Sequence, residues 1–146
     1  MADTALGARM NRSHRTFDKL LELRNGATAQ ITATAAETGI AFQCRKELEY
    51  VCELDISVID RTTGDETYVF TVGVCATVGG TYVTIGTLAI PASGAGTDKT
   101  GVYILPLSGT TAEAVLPAAE FINITATLGG TTPILKYSAV LAKASM

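Results

Sequence analysis

Residues 120–141 read Glu-Phe-Ile-Asn-Ile-Thr-Ala-Thr-Leu-Gly-Gly-Thr-Thr-Pro-Ile-Leu-Lys-Tyr-Ser-Ala-Val-Leu, and their alternation decides the fold class. Ile122, Ile124, Ala126 and Leu128 fall on one side, and Asn123, Thr125 and Thr127 on the other. Successive strand residues point to opposite faces, so this is a half-buried strand. The return arm places Leu135, Tyr137, Ala139 and Leu141 on one face, against Lys136 and Ser138. Gly129-Gly130 between the arms supplies the positive φ of a tight turn. The spacing predicts a hairpin with Ile124 opposite Leu135 and Ile122 opposite Tyr137, so that both apolar faces coincide. Pro133 has no N–H for a ladder, which calls for an edge position or a loop longer by two or four residues.

The same alternation recurs upstream. From Glu49 to Asp60, Tyr50, Cys52, Leu54, Ile56 and Val58 point one way, and Glu49, Glu53, Asp55 and Ser57 the other. Arg61-Thr-Thr-Gly64 turns the chain, and Glu66 to Val78 runs back with Tyr68, Phe70, Val72, Val74 and Ala76 on one face. A turn with Gly64 left-handed and a following bulge sets Ile56 opposite Phe70 and Leu54 opposite Val72; a one-residue slip would invert one strand. Gly79-Gly80 turns the chain again, with Val83 expected opposite Ala76 and Ile85 opposite Val74 along a strand Tyr82–Ile90. Pro91 to Lys99 reads as a flexible loop, Thr100 to Leu107 as a strand interrupted by Pro106, and Glu113 to Pro117 as a short strand.

Before Glu49 the signals are weaker. Residues 1–16 show no hydrophobic period and carry Arg9, Arg12 and Arg15 against Asp3, so they form a flexible basic N-terminal arm. Residues 17–146 form a single domain. In Phe17–Arg24, Leu21 and Leu23 alternate and Asn25-Gly26 follows, the pattern of a hairpin whose partner runs from Ala27 to Ala35. A short helix ended by Gly26 is the other reading. Thr38 to Lys46 is a loop or a short strand. About eight strands with glycine turns and no long helix indicate an all-β antiparallel sandwich, jelly-roll-like in form.

The composition narrows the function classes. The chain has 146 residues, 47% hydrophobic and 17% charged, with a net charge of −3. A chain this size buries roughly 70% of its unfolded surface, so it needs no cross-links. The negative charge argues against a nucleic-acid binder held by phosphate contacts. No apolar run approaches the length of a membrane-spanning helix. The N-terminus lacks the apolar core of a secretory signal, so Asn123-Ile-Thr125 reads as strand sequence rather than a glycosylation acceptor.

Motifs for catalysis are absent. There is no Gly-x-Ser-x-Gly elbow and no His-Glu-x-x-His helix. The one histidine, His14, falls in the arm, where a general base is poorly preorganised. Cys44, Cys52 and Cys75 include no Cys-x-x-Cys pair, and the expected register turns Cys52 inward and Cys75 outward, so free thiols are expected and zinc is not. Glu47, Glu49, Glu53 and Asp55 contain the residue types of a glycosidase pair, but alternating acids on a solvent face explain them better. Asp60, Asp65 and Glu66 surround a turn without the spacing of a calcium loop. Gly94 to Thr100 lacks the Gly-Lys-Thr ending of a phosphate loop. No cofactor and no metal are expected.

The runs Tyr82-Val-Thr-Ile-Gly-Thr-Leu-Ala-Ile-Pro91, Gly101-Val-Tyr-Ile-Leu-Pro106, Glu120 to Gly130 and Tyr137-Ser-Ala-Val-Leu141, with Leu21-Glu-Leu-Arg-Asn-Gly26 before them, resemble the capsid decoration (cement) proteins of tailed bacteriophages. The resemblance covers residues 17–142 and rests on strand texture and order. It implies a non-enzymatic virion protein on the capsid outer surface, made in the host bacterial cytoplasm. Its partners would be the major capsid protein and further copies of itself, as a dimer or trimer. Arg9, Arg12 and Arg15 are independent candidates for partner contact. Two other readings stand beside this one: a neck, tail or fibre-attachment module of the virion, and a carbohydrate-binding sandwich. The last needs exposed aromatic platforms, and most of the Tyr and Phe residues fall at core-facing positions.

Overall fold

The computed structural model describes residues 21–42, 49–90 and 100–143. Among these residues there are nine strands: β1 (Glu22–Arg24), β2 (Ala35–Ala36), β3 (Ile40–Ala41), β4 (Glu49–Ile59), β5 (Thr67–Cys75), β6 (Val83–Ile90), β7 (Gly101–Ser108), β8 (Phe121–Gly129) and β9 (Leu135–Lys143). A short helix, α1 (Gly109–Val115), joins β7 to β8. The front sheet has the order β1-β9-β4-β7; the back sheet has β2-β8-β5-β6, with β3 also on β8. All pairings are antiparallel. The two inner faces meet in one core, built from Leu54, Ile56, Leu135, Tyr137 and Leu141 in front and Phe70, Val72, Val74, Ile122 and Ile124 behind. The protein is an all-β sandwich.

The face assignments hold at most positions. Cys52, Leu54, Ile56, Tyr68, Phe70, Val72, Val74, Ile122, Ile124, Ala126, Leu135, Tyr137, Ala139 and Leu141 are all buried. Val58 departs from this pattern. A bulge between Ile56 and Val58 turns it outward, at 38% exposure, and sends Ile59 in.

Three expected hairpins are not hairpins. β8 and β9 lie in opposite sheets, as do β4 and β5, so Ile124 and Leu135, and Ile56 and Phe70, enter the core from opposite sheets rather than pairing along a ladder. β8 pairs instead with β5, setting Ile124 beside Val72; β4 pairs with β9, setting Ile56 beside Tyr137. The third is the Asn25-Gly26 turn. It forms, with the Asn25 carboxamide oxygen accepting from the Ala27 N–H at 2.7 Å and the Thr28 N–H reaching Asn25 O at 3.0 Å. However, β1 pairs with β9, and the chain crosses to the back sheet, where only Ala35 of the expected strand joins β8, with Ala36 after it.

The crossings are stabilised where they meet. The connections after β4 and after β8 lie against each other at one end of the sandwich. The Asp65 carboxylate accepts from the Thr131 N–H at 3.1 Å and the Thr131 hydroxyl at 2.8 Å. The Asp60 N–H donates to Ile134 O at 2.9 Å. Gly130, at φ 89°, lies so close that a Cβ there would sit 2.4 Å from Asp65 O. Backbone groups that a hairpin ladder would have satisfied are thus satisfied between the two connections.

The β5–β6 hairpin does form, but two residues out of the expected register near the turn and one residue out beyond the bulge. Val83 lies opposite Val74, a bulge follows, and Phe70 lies opposite Leu88. The loop is longer than Gly79-Gly80 alone: the Gly80 N–H bonds to Thr77 O, and the glycine sits under the Cys75 sulfur, where a Cβ would approach to 2.5 Å. The strand expected over Glu113–Pro117 is instead part of α1 and its exit, with Ser108 capping the helix through the Thr111 N–H at 3.4 Å. Pro106 lies within β7 without breaking it, because β7 is an edge strand. The arm over residues 1–16, with His14, the start of the expected first strand, Cys44, Glu47 and the loop Pro91–Lys99 all lie outside the described residues.

Candidate functional site

The buried polar groups come first, because a catalytic centre would draw on them. Arg24 is 4% exposed. Its guanidinium pairs with Glu37 at 2.7 Å, donates to Ala29 O at 2.7 Å and Tyr137 O at 3.2 Å, and lies over the Tyr137 ring at 4.8 Å. These contacts tie β1 to the crossing segment and to β9. Glu66 is fully buried and accepts from the Thr63 N–H at 3.1 Å and the Gly64 N–H at 2.9 Å, closing the turn in which Gly64 takes the expected left-handed φ of 88°. Burial pushes its carboxyl up, but hydrogen bonds from its own backbone, Thr63 and Gly64 outweigh this and hold it below the usual range. Asp60, bonded by the Thr62 hydroxyl and N–H, and Asp65, bonded by the Thr131 N–H and hydroxyl, are also held low. Each of the three turn acids therefore serves local structure.

Cys52 and Cys75 are free and buried, and they sit in opposite sheets. Burial, with the Glu53 charge beside it, pushes the Cys52 thiol up to about 12, so it stays neutral and unreactive. Cys75 occupies an outward position, as expected, but the turn at Gly80 covers it. Among the described residues, no three His, Cys, Asp or Glu side chains group to hold a metal ion. Phe42, Tyr50, Tyr68, Phe70 and Tyr137 are buried, which leaves few aromatic rings to form a sugar-stacking surface.

The two outer faces differ sharply in chemistry. On the front sheet, Glu53 lies between Ile104 and Val140, and Asp55 between Val102 and Ser138, with Glu49 and Lys136 further along. Acids and apolar side chains are interleaved there.

The outward positions of the back sheet run in rows across the strands. One row is Thr87, Thr71 and Thr125; the next is Ala89, Val69 and Thr127; a third, Thr84, Gly73 and Asn123, is partly covered, with Gly73 and Asn123 buried, Tyr82 close against Gly73 and the Asn123 amide donating to Glu37 O at 3.3 Å. None of these side chains is charged. From Thr67 to Thr97 the sequence has no Asp, Glu, Lys, Arg or His, and neither has Phe121 to Leu135. The sheet order brings these two stretches together, with β8 against β5 and β5 against β6. A face kept in water gains solubility from interspersed charge, whereas the dehydrated centre of an interface is depleted of it, because desolvating a charge is costly. The uncharged back face is the candidate site. Its sequence signal is the long charge-free run from Thr67 to Thr97.

Arg9, Arg12 and Arg15, the residues proposed from sequence for partner contact, lie outside the described residues. No family model matches the chain, and no curated protein matches it significantly.

Proposed function

We propose that the protein is a capsid decoration (cement) protein of a tailed bacteriophage: a non-enzymatic virion component that binds the outside of the shell and bridges major capsid proteins. The observation that carries this reading is the uncharged back face. Its three long strands, β8, β5 and β6, spaced about 4.8 Å apart and eight or nine residues long at about 3.3 Å each, give it about 400 Å². A standard interface covers about 800 Å² on each partner, so this face supplies about half of one footprint. The strand order supports a jelly roll, an architecture common in viral capsid domains. With β2 and β3 taken as one interrupted strand, the chain is a single long hairpin rolled up. Its nested pairs are β1·β9, β2/β3·β8, β4·β7 and β5·β6. Arg9, Arg12 and Arg15 add bidentate reach toward shell carboxylates.

The mechanism is linkage. A protein that binds only the assembled shell stabilises it, and many copies multiply a modest gain per copy. Particles lacking the protein are expected to release their contents at a lower temperature, with protection restored when purified protein is added back. Identical release curves with and without it would remove this reading and favour the neck or tail alternative.

A further inference from the structure

We infer that β6 is a docking edge for the β6 of a second copy, producing a two-fold dimer whose back sheet runs continuously through both chains. The pairing deepens the decoration reading, on which it rests for its use in the virion, but it is a property of the free protein.

The edges of the two sheets differ. An edge strand presents unpaired N–H and C=O groups, and proteins blunt such edges with shortness, proline, charge or bulges. The front sheet ends in β1, three residues long, and in β7, which carries Pro106. One side of the back sheet ends in β2 and β3, two residues each. The other side ends in β6, which has eight residues, no proline and no charge. Among the described residues, no strand pairs with its outer side. One bulge, where Val72/Gly73 pass Thr84–Gly86, leaves the run Gly86–Ile90 regular. β6 is therefore the one long edge strand among the described strands that carries neither proline nor charge.

Its chemistry selects a second copy. A two-fold axis sets a strand antiparallel to itself, so the same side chains meet across the axis, and like charges there would repel. β6 offers Val83, Thr84, Thr87 and Ala89, all exposed and all uncharged. The edge is continuous with the uncharged back face, while the acids Glu49, Glu53 and Asp55 stand on the opposite sheet. Self-association at β6 brings none of those acids together.

The test is sedimentation of the full chain over a range of concentrations, without shells. The wild type should be a dimer. Thr87→Lys with Ala89→Lys should weaken the dimer about tenfold or more, since lysines would face one another across the axis. Both positions are exposed, so the double variant should remain folded, with the wild-type circular-dichroism spectrum, as a monomer. Thr127→Lys adds charge to the same face but on β8, two strands from the edge, and should leave the dimer intact. A wild type that stays monomeric or forms a trimer, a double variant that still dimerises, or a Thr127→Lys that dissociates equally would each overturn the proposal. A dimer that fails to protect shells would keep the β6 pairing and remove the decoration reading; a monomer that protects them would do the reverse.

Discussion

Two buried tyrosines have hydroxyls in opposite circumstances. Tyr68, on the back sheet, donates to Asp60 O and accepts from the Ile134 N–H at 3.2 Å, so it fastens both crossing connections. Tyr137, on the front sheet, has a buried hydroxyl with no hydrogen-bond partner among the described residues. Burial and the nearby Glu37 charge push its phenol up, so it stays neutral. A buried polar group left unpaired costs about 1–3 kcal/mol, and removing one member of a bonded pair leaves the other in that position. Tyr68→Phe is therefore expected to destabilise the protein by about 1–3 kcal/mol in urea titrations. Tyr137→Phe should be neutral or raise stability by about 1 kcal/mol. Equal losses in the two variants would show that the Tyr137 hydroxyl has a partner. At this scale the sequence was legible: alternation placed both rings in the core, because side-chain direction along a strand is a local property. The hydrogen-bond status of each hydroxyl was not legible, since it depends on a backbone carbonyl or N–H far away in the chain.

At the level of elements, Arg24 and the turn acids decide which strands become neighbours. Arg24→Met would leave the Glu37 carboxylate and the carbonyls of Ala29 and Tyr137 without their donor. The expected loss is about 3 kcal/mol or more, read by chemical denaturation, because one partner of a buried pair is removed. The acids give a pH dependence of definite sign. Asp60, Asp65 and Glu66 are held below their ordinary values of 3.8, 3.8 and 4.5. Their stabilisation is complete above those values and is lost as pH falls through the lower values of the folded state. The melting temperature should therefore fall below about pH 4.5. Asp65→Asn keeps an acceptor for the Thr131 N–H but carries no charge, so its melting temperature should fall less steeply; an unchanged slope would exclude Asp65 from the acid response. These same contacts explain why the strands were legible and their pairing was not. Matched apolar faces are satisfied equally by two strands side by side and by two strands facing across a core. The choice here is made by contacts such as Asp65 to Thr131, separated by 66 positions, which no turn motif encodes. Only β5–β6, joined by a short glycine loop, kept its expected neighbour.

The whole molecule is asymmetric: one outer face mixes acids with valine and isoleucine, and the other, among the described residues of its three long strands, is free of charge. Half of this was open to reading, since the run from Thr67 to Thr97 is visibly uncharged. The other half required the sheet order, which lays Phe121–Gly129 beside that run and makes one broad surface of two separate stretches. The most direct test is a cryo-electron density map of the parent particle. The map should show this sandwich on the capsid exterior, with Thr71, Val69, Thr125 and Thr127 against the shell and the Glu53–Asp55 face toward solvent. Density for the protein at the neck or tail, or on the capsid with the acidic face against the shell, would contradict it.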